Sequence, residues 1–227
     1  MRQSIGARLL SAAKFVRQGA YFADIGTDHA HLPLFLLGEG IISHAVSTDV
    51  NRGPLDSAVQ NASEAGFSDR MTFILTDGAS GLSDMGITDY AMCGMGGELI
   101  ADIIENSPHL KVSGVRLILQ PMTKQSTLRK YLARAGFSTV GESYSCEAGK
   151  YYLCIAVEYF GEPKEISDFE AEFGVLCPDD KLSYEKEGYF STKINAIKKA
   201  IAGKKKSGQD TSPLDAILRE YEERTGK

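Results

Sequence analysis

The chain lacks the long apolar runs and the paired cysteines that mark two large classes of protein. No uninterrupted apolar run of eighteen or more occurs among its 227 residues, so no membrane-spanning helix is expected. Its first residues lack the apolar core and cleavage site of a signal peptide, which predicts a cytoplasmic protein. Without a Cys-x-x-Cys pair, zinc and redox dithiol sites are not expected. The cysteines, expected as reduced thiols, are Cys93, Cys146, Cys154 and Cys177.

Acidic residues are missing from three stretches, although the net charge of the chain is −5. Residues 1–23, 106–141 and 188–209 contain four, six and six basic residues and no Asp or Glu. Two interpretations stay open at this point. The three stretches form one basic face that attracts phosphates, or they point in different directions.

Short β-rich runs alternate with helical runs over the first 135 residues, which predicts a parallel sheet with helices on both faces. Two further β-rich runs, joined by residues 147–149, predict a hairpin. The expected fold is therefore α/β and Rossmann-like, with a mostly parallel seven-stranded sheet and an antiparallel last strand, as in class I methyltransferases. The predicted strands are 21–25, 45–49, 71–76, 89–93, 115–120, 137–146 and 150–160. The predicted helices of this part are 4–17, 33–39, 54–65, 97–106 and 124–135.

Beyond a linker at 161–164 the pattern is helical. Apolar spacing predicts helices over 179–202 and 213–224, separated by a polar turn at 203–208. Two helices with such a turn form an αα-hairpin, with the geometry of a short antiparallel coiled coil. We therefore expect a first domain over 1–162 and a small helical domain over 163–227.

Acidic residues and glycines follow four successive predicted strands. Because ligands of open α/β sheets bind at the carboxyl ends of the strands, these residues are candidates for binding a cofactor. They do not follow the G-x-G-x-x-G pattern, and Asp28 brings a carboxylate to the turn where a pyrophosphate would lie. A carboxylate there favours a cationic sulfonium, S-adenosylmethionine, over a nicotinamide or flavin dinucleotide. The candidates for cofactor binding are Asp24, Gly26, Asp49, Asp77, Gly78 and Gly94.

A second set of residues lies beside these strand ends and is expected to contact substrate. The fourth strand end lacks the Asn/Asp-Pro-Pro-Tyr/Phe sequence of enzymes that methylate exocyclic nitrogens, which argues against adenine N6 as the target. Two histidines without a third ligand do not make a catalytic zinc site, so no metal is expected. The candidates for substrate contact are His29, His31, Met95, Gly96, Gly97 and Gln120.

Three segments together resemble the bacterial tRNA (adenine-N1)-methyltransferase family that modifies adenine 22 in the D-loop region. The segments are 23–33, 94–97 and 117–121, and the resemblance covers the whole chain. It implies S-adenosylmethionine as donor, tRNA as substrate, 1-methyladenosine as product and Asp28 as the catalytic residue. The chain departs from the family pattern at Asp49, Thr76 and Met122, where Glu, Gly and Asn are expected.

Several alternatives stay open from the sequence. The chain is a methyltransferase of another RNA or of a small molecule, or a non-catalytic RNA-binding protein that retains the fold. Asp28 acts as a general base or as electrostatic support. The lysines of the helical region clamp tRNA, or they belong to a solvated hairpin or a dimer contact, with a monomer favoured. These lysines are Lys198, Lys199, Lys204, Lys205 and Lys206.

Overall fold

The computed structural model describes residues 4–176 and 182–226 of the chain. The strands are β1 (Phe22–Ile25), β2 (Ala45–Asp49), β3 (Met71–Leu75), β4 (Asp89–Gly96), β5 (Arg116–Thr123), β6 (Phe137–Glu147) and β7 (Lys150–Tyr159). The helices are α1 (Ala7–Ala13), α2 (His31–Gly38), α3 (Arg52–Glu64), α4 (Gly97–Glu105), α5 (Gln125–Arg134), α6 (Asp168–Phe173), α7 (Tyr184–Lys206) and α8 (Ser212–Thr225).

The seven strands form one sheet in the order β3-β2-β1-β4-β5-β7-β6. Strands β1 to β5 run parallel, while β7 runs antiparallel to both of its neighbours, β5 and β6. The predicted fold class is therefore confirmed. The strand order reverses between β1 and β4, and ligands of open α/β sheets bind outside the carboxyl ends of the strands at such a point. We call the edge of the sheet where β1 to β5 end the carboxyl edge.

The central strands are continuous runs of buried residues rather than runs in which buried and exposed residues alternate. Every residue of β1 is buried, and so are the first four residues of β2. Such runs are typical of parallel strands covered by helices on both faces. Of the covering helices, α4 is amphipathic: it buries Ile100, Ile103 and Ile104 and leaves Glu98 and Leu99 exposed.

The C-terminal helices pack onto the same apolar core as the sheet. Phe173 of α6 and Phe190 of α7 meet edge to face at 5.2 Å between ring centroids, and Tyr221 of α8 lies against both rings. All three belong to one buried cluster with Leu128 of α5 and Val157 of β7. Apolar contacts thus cross the predicted domain boundary at residue 162, and the division into two domains stays a prediction.

Three predictions of secondary structure are wrong in detail. The first helix covers only Ala7–Ala13 instead of 4–17. Helix α6 was not predicted, although its capping box of Ser167 and Glu170 is readable in the sequence. The predicted turn at 203–208 is helical as far as Lys206, because one glycine costs a helix only about 1 kcal/mol. Residue 179, the predicted start of that helix, lies outside the described residues.

The described cysteines are free thiols, with Cys154 buried and Cys93 and Cys146 half-buried. Cys177 lies outside the described residues. No helix in the described ranges is long and apolar enough to cross a membrane.

Candidate active site

The first strand end combines a buried acid with a glycine that no other residue can replace without strain. Gly26 has φ of +69°, and a Cβ atom on it would lie 2.1 Å from the terminal methyl of Met95. Asp24 is buried, and its Oδ2 accepts a 2.6 Å hydrogen bond from the hydroxyl of Thr27. Burial raises the pKa of Asp24 to about 7, against the lowering effects of the Thr27 hydroxyl and of Arg8.

The turn after this strand holds Asp28 in a strained, exposed segment. Its neighbours His29 and Ala30 have φ of +60° and +57°, a left-handed conformation that non-glycine residues rarely adopt. The side-chain amide of Asn61 donates to the carbonyl of His29 at 2.9 Å, which helps to hold the turn. Asp28 is 81% exposed, and its Oδ1 lies 3.1 Å from Nε2 of His29. Such backbone strain concentrates at functional sites.

The second and third strand ends present two more acids at the carboxyl edge. Asp49 is the last residue of β2, and its Oδ1 accepts a 2.7 Å hydrogen bond from the backbone N–H of Asn51. Asp77 is exposed and precedes Gly78, whose φ is +57°. The hydroxyl of Thr48 donates to the Gly78 carbonyl at 3.2 Å, which joins the two strand ends.

The fourth strand end is a glycine bulge held by a buried amide. Gly94 has φ of +84° and lies where the pairing of β4 with β5 shifts register. Its N–H donates to Oε1 of Gln120 at 3.1 Å, and Nη1 of Arg8 donates to the same oxygen at 2.7 Å. Gln120 is fully buried, and its amide oxygen holds Gly94 and Arg8 in place. Its contact with substrate stays a prediction.

Arg8 is a site residue that the strand-end pattern missed. It lies on α1, near the start of the chain, and its backbone N–H donates to Oε2 of Glu147 at the tip of the β6–β7 hairpin, at 2.9 Å. These contacts bring a guanidinium beside Asp24 at the carboxyl edge. The absence of acids from residues 1–23 was the only signal in the sequence that could have pointed to it.

These strand ends enclose one cavity of about 650 Å³, which we call the strand-end cavity. Its volume lies in the usual range for small-molecule sites. Five of the six residues predicted to bind a cofactor line it, together with Asp28, Met95 and Arg8. The sixth, Asp24, lines an adjoining recess of about 60 Å³ with Arg8, Asp28 and His31. The five are Gly26, Asp49, Asp77, Gly78 and Gly94.

The other two glycines of the fourth strand end serve packing. A Cβ on Gly97 would lie 2.4 Å from the carbonyl oxygen of Lys124, because α4 begins against the loop after β5. Gly97 is buried, and a Cβ on Gly96 would meet the hydroxyl of Thr123 at 3.3 Å. Neither glycine lines the strand-end cavity, so their predicted contact with substrate gains no support here.

A larger groove of about 780 Å³ lies between α5 and the C-terminal helices. It contains none of the strand-end residues, and several of its charges neutralise each other. Lys111 pairs with Glu105, and Lys130 pairs with Asp168. We therefore place the chemistry in the strand-end cavity.

The fold undoes most of the charge segregation seen in the sequence. Each of the six basic residues in 106–141 forms an ion pair with an acid from another part of the chain. Arg17, from the first basic stretch, pairs with the buried Asp89. This pairing favours the second interpretation, in which the stretches do not add up to one basic face. Arg2 lies outside the described residues.

Five lysines in the C-terminal half of α7 are the exception. No salt bridge joins them to an acid within the described part of the chain, and all but the half-buried Lys204 are exposed. They do not line the strand-end cavity. The five lysines are Lys198, Lys199, Lys204, Lys205 and Lys206.

The described residues contain no group of three side chains that could hold a metal ion. His29 and His31 lie 5.6 Å apart between ring centroids beside Asp28. His31 lines the small recess, while His29 is exposed at the turn.

Comparison with known proteins agrees with this geometry. A family model described as a methyltransferase domain matches residues 5–155. A tRNA (adenine(22)-N(1))-methyltransferase of Bacillus subtilis is 30% identical over 154 residues, which is 68% of this chain and 65% of that protein. The chain thus spans somewhat less than two thirds of this curated relative.

Solved structures match over nearly the full length. Streptococcus pneumoniae Sp1610, provisionally assigned as a tRNA (m1A22) methyltransferase, is 31% identical, with a TM-score of 0.82 and coverage of 97% of this chain and 99% of that one. Its complex with S-adenosyl-L-methionine is also 31% identical, with a TM-score of 0.81 and coverage of 95% and 100%. The motifs, the strand order and these similarities agree, and the chain belongs to the tRNA (adenine(22)-N1)-methyltransferase family.

Proposed function

We propose that this protein transfers a methyl group from S-adenosylmethionine to N1 of an adenine in tRNA, adenine 22 in the D-loop region, giving 1-methyladenosine. The observation that carries the proposal is the convergence of acids and bare glycine backbone on the strand-end cavity. Membership of the family supports the donor, the substrate and the position. A tRNA substrate is consistent with the cytoplasmic location and the monomer expected from the sequence.

The residues of the strand-end cavity fit the chemistry of the donor. Asp49 can accept hydrogen bonds from the ribose hydroxyls of the donor, and Asp77 can accept one from the amino group of the donor's adenine. Asp24 and Asp28 bring negative charge to a cationic ligand. Arg8 is the only cation among the described residues that line the cavity, and its guanidinium suits the carboxylate of the donor.

When bound, the donor supplies an electrophilic methyl group, so a bond from adenine N1 forms as the carbon–sulfur bond breaks, leaving a neutral thioether and a cationic base. Asp28 has an exposed carboxylate at the mouth of the cavity, in contact with His29. It stabilises the positive base or accepts a proton from the N6 amino group, and general-base catalysis contributes about 10²- to 10⁴-fold. The target base must leave its stack to reach this carboxylate.

Incubation of the protein with the donor and unmodified tRNA tests the proposal. We expect mass spectrometry of the digested nucleosides to detect 1-methyladenosine, with the modification at one position. Another methylated nucleoside would indicate a different target. Donor binding without any transfer to tRNA, other RNA or small molecules would indicate a non-catalytic protein.

The five lysines in the C-terminal half of α7, which form no salt bridge with the described residues, are expected to hold the tRNA backbone. Replacing Lys204, Lys205 and Lys206 with alanine should weaken tRNA binding and lower the slope of log affinity against log salt by up to about three, one for each lost phosphate contact. Donor affinity should not change. Fluorescence anisotropy of labelled tRNA at several salt concentrations measures both quantities.

Lys130→Ala serves as the matched control, because that lysine already pairs with Asp168. The three lysines also lie in the last turn of α7, where cations stabilise a helix. A role confined to the helix would lower the melting temperature and leave the salt slope unchanged. That result would contradict the proposed contact between these lysines and the tRNA backbone.

A further inference from the structure

We infer that Tyr152 is the aromatic surface on which the target adenine stacks. This inference rests on the proposed function and identifies a substrate contact for it. Tyr152 is the only aromatic residue among the described residues that line the strand-end cavity. Proteins that hold unstacked bases commonly use an aromatic side chain for this purpose, because every base offers a flat face.

The strand pairing explains how Tyr152 reaches the cavity. Strand β7 pairs with β5 only as far as Ile155, opposite Leu119, and then continues beyond this point alongside β6. Because β7 runs antiparallel to β5, its first residues lie at the carboxyl edge. The hairpin therefore extends past the sheet and carries Tyr152 to the wall of the cavity.

Adjacent tyrosines of β7 have different roles, since successive side chains of a strand point to opposite faces. Tyr151 packs against α7. Its hydroxyl donates to that of Tyr184 at 3.1 Å, and its ring lies so near Gly188 that a Cβ there would be 2.2 Å from it. Tyr152 is half-buried, and its hydroxyl has no hydrogen-bond partner in the described ranges. Its ring is thus not required for a polar contact within the protein.

The two sides of the cavity differ in chemistry. Asp49 and Asp77, at the ends of β2 and β3, form a polar side that suits the donor. The opposite side, from β4, β5 and β7, contains Gly94, Met122 and Tyr152. Gly94 contributes exposed backbone, Met122 a thioether side chain that is 43% exposed, and Tyr152 an aromatic ring. This combination suits the face of a planar base.

The charge of the methylated base is a second reason to assign the stacking contact to Tyr152. Methylation at N1 makes the adenine cationic, and the face of an aromatic ring attracts cations. The stacking contact therefore strengthens as the reaction proceeds, so its loss should lower kcat as well as raise KM for tRNA.

Steady-state kinetics with tRNA and calorimetry with the donor test this inference. Tyr152→Ala should lower kcat/KM for tRNA about 10- to 100-fold, with donor affinity unchanged. Tyr152→Phe should retain nearly full activity, because the hydroxyl forms no hydrogen bond with the described residues. Tyr152→Leu preserves apolar bulk and folding but removes the flat face, and it should fall close to the alanine variant.

Tyr21→Ala is the control, since this tyrosine is 64% exposed just before β1, at the opposite edge of the sheet. Wild-type activity in Tyr152→Ala would overturn the inference. A loss of donor affinity, or a phenylalanine variant as poor as the alanine one, would overturn it as well. The wild-type protein separates failure of this inference from failure of the proposed function. If the proposed function is wrong, the wild type forms no 1-methyladenosine.

Discussion

Replacing Asp28 with alanine is expected to lower kcat by about 10²- to 10⁴-fold while donor affinity stays nearly unchanged. The carboxylate lies at the mouth of the strand-end cavity and is mostly exposed, and among the described residues it contacts only His29 within hydrogen-bonding range. An exposed pair of this kind contributes little to stability, so the variant should fold normally. Single-turnover methyl transfer to tRNA and calorimetry with the donor measure the two quantities separately.

Two further variants sharpen the test of Asp28. Asp28→Asn preserves the size of the side chain and removes its charge, so a loss equal to that of alanine assigns the effect to the carboxylate. Asp56→Ala, an exposed acid of α3 outside the cavity, should leave the rate unchanged. If Asp28→Ala turns over at the wild-type rate, Asp28 is a residue of the turn and the proposed mechanism is wrong.

Asp24→Asn is expected to increase stability above pH 7 by a few kcal/mol and to weaken donor binding strongly. Burial raises the pKa of this carboxyl to about 7 from an ordinary value of 3.8. Between these two pH values the folded state binds more protons than the unfolded state. The free energy of unfolding of the wild type therefore falls as pH rises through this window, and it levels off above pH 7.

Donor affinity should show the opposite trend. The charged groups facing Asp24 are Arg8, Asp28 and Asp49. A cationic donor favours the ionised carboxylate, so affinity should rise with pH up to about 7 and then level off. Asparagine carries no titrating charge, and both pH dependences should disappear in the variant.

Urea unfolding and calorimetry between pH 5 and 9 would measure both trends. Thr27→Val removes the hydroxyl bonded to Asp24 and should shift the pH dependence upward without removing it, because that hydrogen bond lowers the pKa. Identical pH profiles for the wild type and Asp24→Asn would show that another group titrates.

That these residues of the carboxyl edge line one cavity was predictable, because each lies at the end of its own parallel strand. The sequence does not reveal the strand order, yet parallel strands share one carboxyl edge in any order. Asp49 and Asp77 therefore meet at one cavity although they lie far apart in the chain. The local pattern was sufficient for these residues.

Residues that act through tertiary contacts were not predictable in this way. Arg8 reaches the site only because α1 packs against the hairpin tip, 139 residues further along at Glu147. The burial of Gln120 was not predictable either, because β5 continues to Thr123 and so places the amide inside the sheet rather than after it. Local patterns could not show which basic residues of 106–141 would form ion pairs with acidic residues from other parts of the chain.

The length of α7 has a consequence for which RNA molecules can bind. This helix is unbroken over 23 residues, which corresponds to about 34 Å. It begins with Tyr184, in contact with the strand that carries Tyr152, and its free lysines start at Lys198, about 21 Å further along the axis. If RNA is held at both places, as proposed, it has to extend along this rigid helix, and we expect fragments too short to do so to bind more weakly.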